Sequence, residues 1–138
     1  MLTQKYNSKI SIGLVSFIIL VYIISIYYLI IDFKLGGLIT IIGLGLFIVY
    51  LFSTTYYIIN QATHFLLIKS GFLVNLPIDV HQITEIKTSK SWISSPALSL
   101  DRIEILYNTY DSVIISPKNK SQFIQELKQI NPFIKVNI

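Results

Sequence analysis

The sequence contains no cysteine. This excludes a disulfide framework, a thiolate metal site, a cysteine nucleophile and a lipid-bearing cysteine. Charge is scarce as well: 13% of the 138 residues are Asp, Glu, Lys or Arg, against 53% hydrophobic. Where charge is missing matters more than how much is missing. None occurs from Ile10 to Ile31, and none from Leu35 to Ile59. Arginine occurs once, as Arg102. The net charge of +4 divides into +2 from Lys5 and Lys9, zero from Asp32 with Lys34, and +2 from eight basic and six acidic residues over 60–138. Basic residues this dispersed, without interleaved aromatics, leave no nucleic-acid footprint, so no nucleic-acid partner is expected.

Two apolar runs fill the gaps in charge. Residues 10–31 are 22 residues long, and as a helix they would measure about 33 Å, enough for a hydrocarbon core of about 30 Å. Residues 35–59 repeat the pattern over 25 residues. A soluble chain of this size has too little other surface to cover two helices that are apolar all round. A signal peptide is also a poor fit, because its apolar region spans only about 7–15 residues and is followed by a small-residue cleavage site. The short Asp32-Phe33-Lys34 connection forces the two helices antiparallel. Lys5, Lys9 and Lys69 flank one pair of helix ends and Lys34 alone the other, so the basic side is expected inside. The expected organisation is therefore a cytoplasmic segment 1–9, a transmembrane helix 10–31, an external turn 32–34, a second transmembrane helix 35–59 and a cytoplasmic domain 60–138. The lipid bilayer is the first expected partner. Tyr27, Tyr28 and Phe33 fall at one interfacial level, and Tyr6, Tyr56 and Tyr57 at the other. Neither run contains Asp, Glu, Lys, Arg or His, which fits an anchor or a lipid-level recognition surface and not an ion pathway. Gly13, Ser16, Gly43 and Gly45 offer small surfaces for helix packing.

After residue 60 the pattern changes to strands. His64–Lys69 and Phe72–Leu76 flank Ser70-Gly71 and read as a hairpin that Pro77 ends. A turn then leads into a strand carrying Ile83 and Ile86. Leu98–Tyr107 alternates, with one slip near Asp101-Arg102 that suggests a bulge. Asn108-Thr109 is a turn, and Tyr110–Ile115 is the next strand. At Ser116-Pro117 the period becomes helical, with Phe123, Ile124, Leu127 and Ile130 as an apolar stripe, until Asn131-Pro132 stops it. The stripe is expected to pack over the sheet.

No catalytic constellation is present. His64 and His81 have no partner at metal-ligand spacing, and there is no G-x-S-x-G, P-loop or H-E-x-x-H motif. The expectation is a protein without catalytic, metal or cofactor residues. The segment around Arg102 is the one polar concentration, with Ser94, Ser95 and Ser99 as candidate partner-binding residues beside it. Arg102 could clamp a carboxylate or phosphate. Equally, Asp101, Arg102 and Glu104 could pair across strands while the serines cap turns. An interfacial hydrolase built on Ser95 or Ser99 would need a base that nothing nearby supplies.

The segments Phe65–Lys69, Gly71, Pro77-Ile78, Ser94–Ile105, Ile115–Lys118, Phe123 and Asn131-Pro132 together resemble the bacterial PH-like domain family over about residues 62–134. That resemblance implies an α+β PH-like domain, an antiparallel partial β-barrel with one C-terminal helix, here joined to a membrane α-helical hairpin. It also raises phosphoinositide binding, but no Lys/Arg cluster marks the first hairpin. Taken whole, the chain resembles the small membrane immunity proteins that protect bacteria from their own glycosylated bacteriocins of the sublancin type. This implies a bacterial cytoplasmic membrane location and, as partner, a bacteriocin or its membrane receptor. The rival expectation is a general membrane-tethered PH-like scaffold that recruits a protein.

Overall fold

The computed structural model describes residues 3–89 and 97–138. The chain begins in a strand, β1 (Thr3–Asn7), and then forms helix α1 (Ile12–Ile31), a three-residue turn and helix α2 (Leu35–Thr54). It returns at once as β2 (Thr55–Asn60), which pairs antiparallel with β1 from Thr3↔Asn60 to Asn7↔Tyr56. The helical hairpin is thus inserted into the connection between two neighbouring strands and does not precede the domain.

This placement corrects three sequence expectations. Residues 3–7 belong to a sheet and are not a separate tail. Helix α2 ends at Thr54, five residues short of Ile59. The β domain begins before residue 60 and includes both β1 and β2. The reason is local. Thr55–Asn60 reads TYYIIN, a β-branched and aromatic run that favours strand but carries no charge to separate it from the helix before it.

Each helix has 20 residues, about 30 Å, and none of its side chains is buried. Both are long and apolar enough to cross a membrane. They meet where the Tyr22 hydroxyl donates to the Ile41 carbonyl at 3.0 Å. A Cβ on Gly45 would lie 2.9 Å from that hydroxyl oxygen, so glycine is what admits the tyrosine. Gly43, by contrast, faces open space.

The first sheet has the order β1-β2-β3-β4, with β3 at Phe65–Ser70 and β4 at Val74–Asp79. A 3-10 turn over Val80–Gln82 leads to the second sheet, β7-β6-β5-β8. Its strands are β5 (Ile83–Ser89), β6 (Arg102–Tyr107), β7 (Asp111–Ile115) and β8 (Lys135–Asn137), all antiparallel except the β5–β8 pair. The sheets do not close, so the domain is a partial barrel with one C-terminal helix, α3 (Lys120–Ile130). Alternate residues point inward: Tyr57 and Ile59, Leu66 and Ile68, Ile103 and Ile105, Val113 and Ile115. The α3 stripe of Phe123, Ile124 and Leu127 packs into the same core, as its spacing predicts. Each fully buried Ile or Leu contributes roughly 1.5–3 kcal/mol.

Pro77 lies inside β4, opposite Leu67, where the sequence suggests a strand end. It is tolerated because β4 is an edge strand, where a missing N–H breaks no ladder. Residues 98–100 form a bend, and β6 starts at Arg102. The slip in alternation therefore marks a strand start, and the irregularity in this sheet lies in β5 between Ile83 and Glu85. Helix α3 starts at Lys120, because Pro117 is held in a β-bridge with Ser8 and the Lys118 amide donates to Asn7. At its other end the buried Asn131 donates from Nδ2 to the carbonyls of Val80 (3.0 Å) and Ile83 (3.2 Å), which ties α3 to the start of β5.

Candidate functional site

The two helices leave and rejoin the sheet at one end of the domain, and a cluster of buried hydroxyls holds that seam. The Tyr57 hydroxyl donates to Ser8 Oγ at 3.1 Å, and Ser8 Oγ lies 3.0 Å from Ser116 Oγ. The Ser116 amide donates to the Tyr57 oxygen at 3.2 Å, and the Leu98 amide donates to Ser8 Oγ at 3.3 Å. Backbone bonds run beside them: Lys9 N–H to the Ser116 carbonyl (2.6 Å) and Ser11 N–H to the Leu98 carbonyl (3.1 Å). Tyr57 is completely buried, and burial pushes its phenol pKa upward, so it stays a neutral donor. The cluster fastens the start of α1 to β2, to residues 97–98 and to the link after β7. Nothing in the sequence marks it, because Ser8, Tyr57 and Ser116 are far apart in the chain.

Above this latch lies an ionic one. Asp101 bonds to Lys9 at 2.7 Å and to Lys120. Those hydrogen bonds, Lys120 first and Lys9 second, hold the Asp101 carboxyl below its usual range. One aspartate thus joins the segment entering α1 to the first residue of α3. Exposed pairs of this kind contribute little individually.

Between α1 and residues 97–102 lies a cleft of about 500 Å³. Leu14 and Phe17 form its helix wall, and Ala97, Leu98 and Leu100 face them. Ser99 and Arg102 also line it. The structure therefore brings together two of the four candidate binding residues. Ser94 and Ser95 lie outside the described residues. Ser99 is buried, and its Oγ accepts from the Asp101 amide at 3.1 Å, so it caps a turn. Its carbonyl accepts from Arg102 Nε at 2.6 Å, which fixes the guanidinium against the cleft wall. Glu104 pairs across the strands with Lys87 at 3.4 Å. The turn-capping reading thus holds for Ser99 and the cross-strand reading for Glu104, while Asp101 pairs outside its sheet.

The histidines sit at the opposite end of the sheets, where His81 Nε2 is 3.4 Å from His64 Nδ1. Neither is near Ser99, which lies beyond the other end of β6. Among the described residues no group of three or more His, Cys, Asp or Glu could hold a metal ion.

A family model for the bacterial PH domain matches residues 55–131. That is more than half of the chain, and it runs from the first residue of β2 past the end of α3. The chain belongs to the bacterial PH domain family. The match omits β1, which the structure nevertheless places in the first sheet of this PH domain. No curated protein matches the chain, and no solved structure does. In this PH domain the connection between the first two strands is the helical hairpin itself, so a short basic loop does not occupy that place.

Proposed function

We propose that the chain is a membrane-anchored, non-catalytic recognition module, and that it protects a bacterium from a bacteriocin of the glycosylated, sublancin-like kind. The observation that carries the first half is the insertion of the hairpin between β1 and β2. With α1 and α2 in the bilayer, the cleft between α1 and residues 97–102 sits at the membrane surface. Its apolar walls and single arginine suit an amphiphilic partner that presents a carboxylate or phosphate. The partner is the toxin or its membrane receptor, and occupancy blocks their productive engagement. Anchoring supports a weak binder by raising its local concentration. The second half rests on the resemblance of the whole chain to such immunity proteins. In this reading the chain resides in the bacterial cytoplasmic membrane, with both termini in the cytoplasm.

The test is expression in a sensitive strain challenged with a panel of bacteriocins that includes a glycosylated one. Survival is expected against at least one of them. Unchanged sensitivity to all, with the protein confirmed in the membrane, would overturn immunity in favour of the scaffold role. If protection is seen, residues 12–54 can be exchanged in place for an unrelated two-helix hairpin. Retained protection would assign recognition to the PH domain, and lost protection in a folded, inserted chimera would assign it to the native hairpin or the α1 wall of the cleft.

A further inference from the structure

The turn between β3 and β4, Gly71–Leu73, is built unlike an exposed turn. Turns in water favour small and polar residues. This one presents Phe72 and Leu73, which are 72% and 65% exposed. It is also clamped to a helix. The Gly71 amide lies 3.4 Å from the Thr54 carbonyl at the end of α2. Gly71 has φ +55°, which favours glycine, and a Cβ there would lie 2.9 Å from Leu51 Cδ2, so the turn packs closely on α2. The Phe72 ring stacks on Tyr50, with centroids 6.4 Å apart. Tyr50 lies four residues before the end of α2, so Phe72 sits about 6 Å below the point where the helix meets the sheet.

The charges beside the turn follow the same axis. One rung up the sheet from Ser70, Lys69 pairs with Tyr56. The Lys5 ammonium lies 4.1 Å from the centroid of the Tyr56 ring, and that of Lys69 lies 5.9 Å from it. Read from the helices toward the domain, the apolar tip comes first, and the Tyr56 ring with the two ammonium groups beside it comes next. An anionic leaflet runs in the same order, from the acyl boundary to an interface where aromatic rings and basic side chains are favoured.

We propose that the β3–β4 turn is a third membrane contact, with Phe72 and Leu73 seated in the leaflet beside α2 and Lys5 and Lys69 at its phosphates. The occupant of this apolar patch is lipid, because the patch is continuous with the lipid-facing surface of α2. The turn then acts as a prop that sets the tilt of the PH domain and the height of the α1 cleft on its other flank. This inference rests on the reading of the hairpin as membrane-spanning.

The experiment uses the full chain in vesicles containing phosphatidylglycerol, with the single native tryptophan replaced (Trp92→Phe) and one new tryptophan per variant. Bromine on the acyl chains of the lipid reports depth by quenching. Phe47→Trp, inside α2, tests the hairpin, and Tyr110→Trp, 96% exposed in the β6–β7 turn at the far end of the domain, supplies the water-exposed reference. Phe72→Trp is expected to show blue-shifted emission and strong loss of fluorescence to bromine near the headgroup end of the chain. If Phe47→Trp is quenched while Phe72→Trp behaves like Tyr110→Trp, the membrane contact is wrong and the spanning hairpin stands. If Phe47→Trp is itself unquenched, the hairpin reading fails and takes the prop with it.

Discussion

Tyr57 shows how one hydroxyl can couple the helical hairpin to the domain. Its ring belongs to the core, packing edge-on against Phe123 at 6.2 Å, while its oxygen bonds the segment that enters α1. Tyr57→Phe keeps the ring and removes one donor to Ser8 and one acceptor for the Ser116 amide. Both partners are buried, so the cost is that of leaving polar groups without their bond, about 1–3 kcal/mol. Thermal or denaturant unfolding of the detergent-solubilised chain should show that loss. A change below about 0.5 kcal/mol would mean that water replaces the hydroxyl and the cluster is not a dry latch. Ser99 and Arg102 could be found from composition alone, since they lie together in the segment with the chain's single arginine. Ser8, Tyr57 and Ser116 could not, since each is an ordinary residue until the fold brings its oxygen to the others.

At the scale of elements, the legible parts were those with a strong pattern. Two charge-free runs mark the helices, turn residues mark the β3–β4 hairpin and the start of β7, interleaved apolar and polar residues mark β5 and β6, and a 3.6-residue stripe marks α3. Three strands are not legible: β2 continues the apolar run of α2 without a charge to mark the change, and the other two are short and polar. β1 has five residues with only Tyr6 buried, and β8 has three residues, of which Val136 is partly buried. Neither carries a period that can be read, and both exist because a neighbouring strand offers them a ladder. This has a consequence for dissection. A fragment that starts at Asn60 lacks β1 and β2, and with them Tyr57 and Ile59 from the core, so it should not fold. A chain in which residues 12–54 are replaced by a short Gly/Ser turn keeps the full first sheet. It should fold as a water-soluble monomer, and Phe123→Ala in that background should cost about 3–5 kcal/mol, since the ring is fully buried. Circular dichroism and denaturant titration of the two proteins would decide. Cooperative unfolding of the shorter fragment would show that β1 and β2 are dispensable.

For the whole molecule, topology separates into a parity and a sign. The parity comes from the sheet. Because β1 and β2 are paired along their length, the start of α1 and the end of α2 are held side by side at one end of the domain. A spanning hairpin must then put the turn at 32–34 on the face of the membrane opposite the PH domain. The sign comes from charge. Lys5, Lys9 and Lys69 lie at the domain end, whereas at the turn Lys34 is paired with Asp32 at 2.6 Å. The excess of basic side chains therefore stays with the domain, which the positive-inside rule assigns to the cytoplasm. A reporter active only outside the cytoplasm should be on when fused at Lys34 and off when fused after Ile138. A reporter active only inside should give the reverse. If the two fusions exchange behaviour, the parity survives and the charge argument fails. If both fusion sites report the same side, the hairpin does not cross, and its two apolar helices need another partner to cover them.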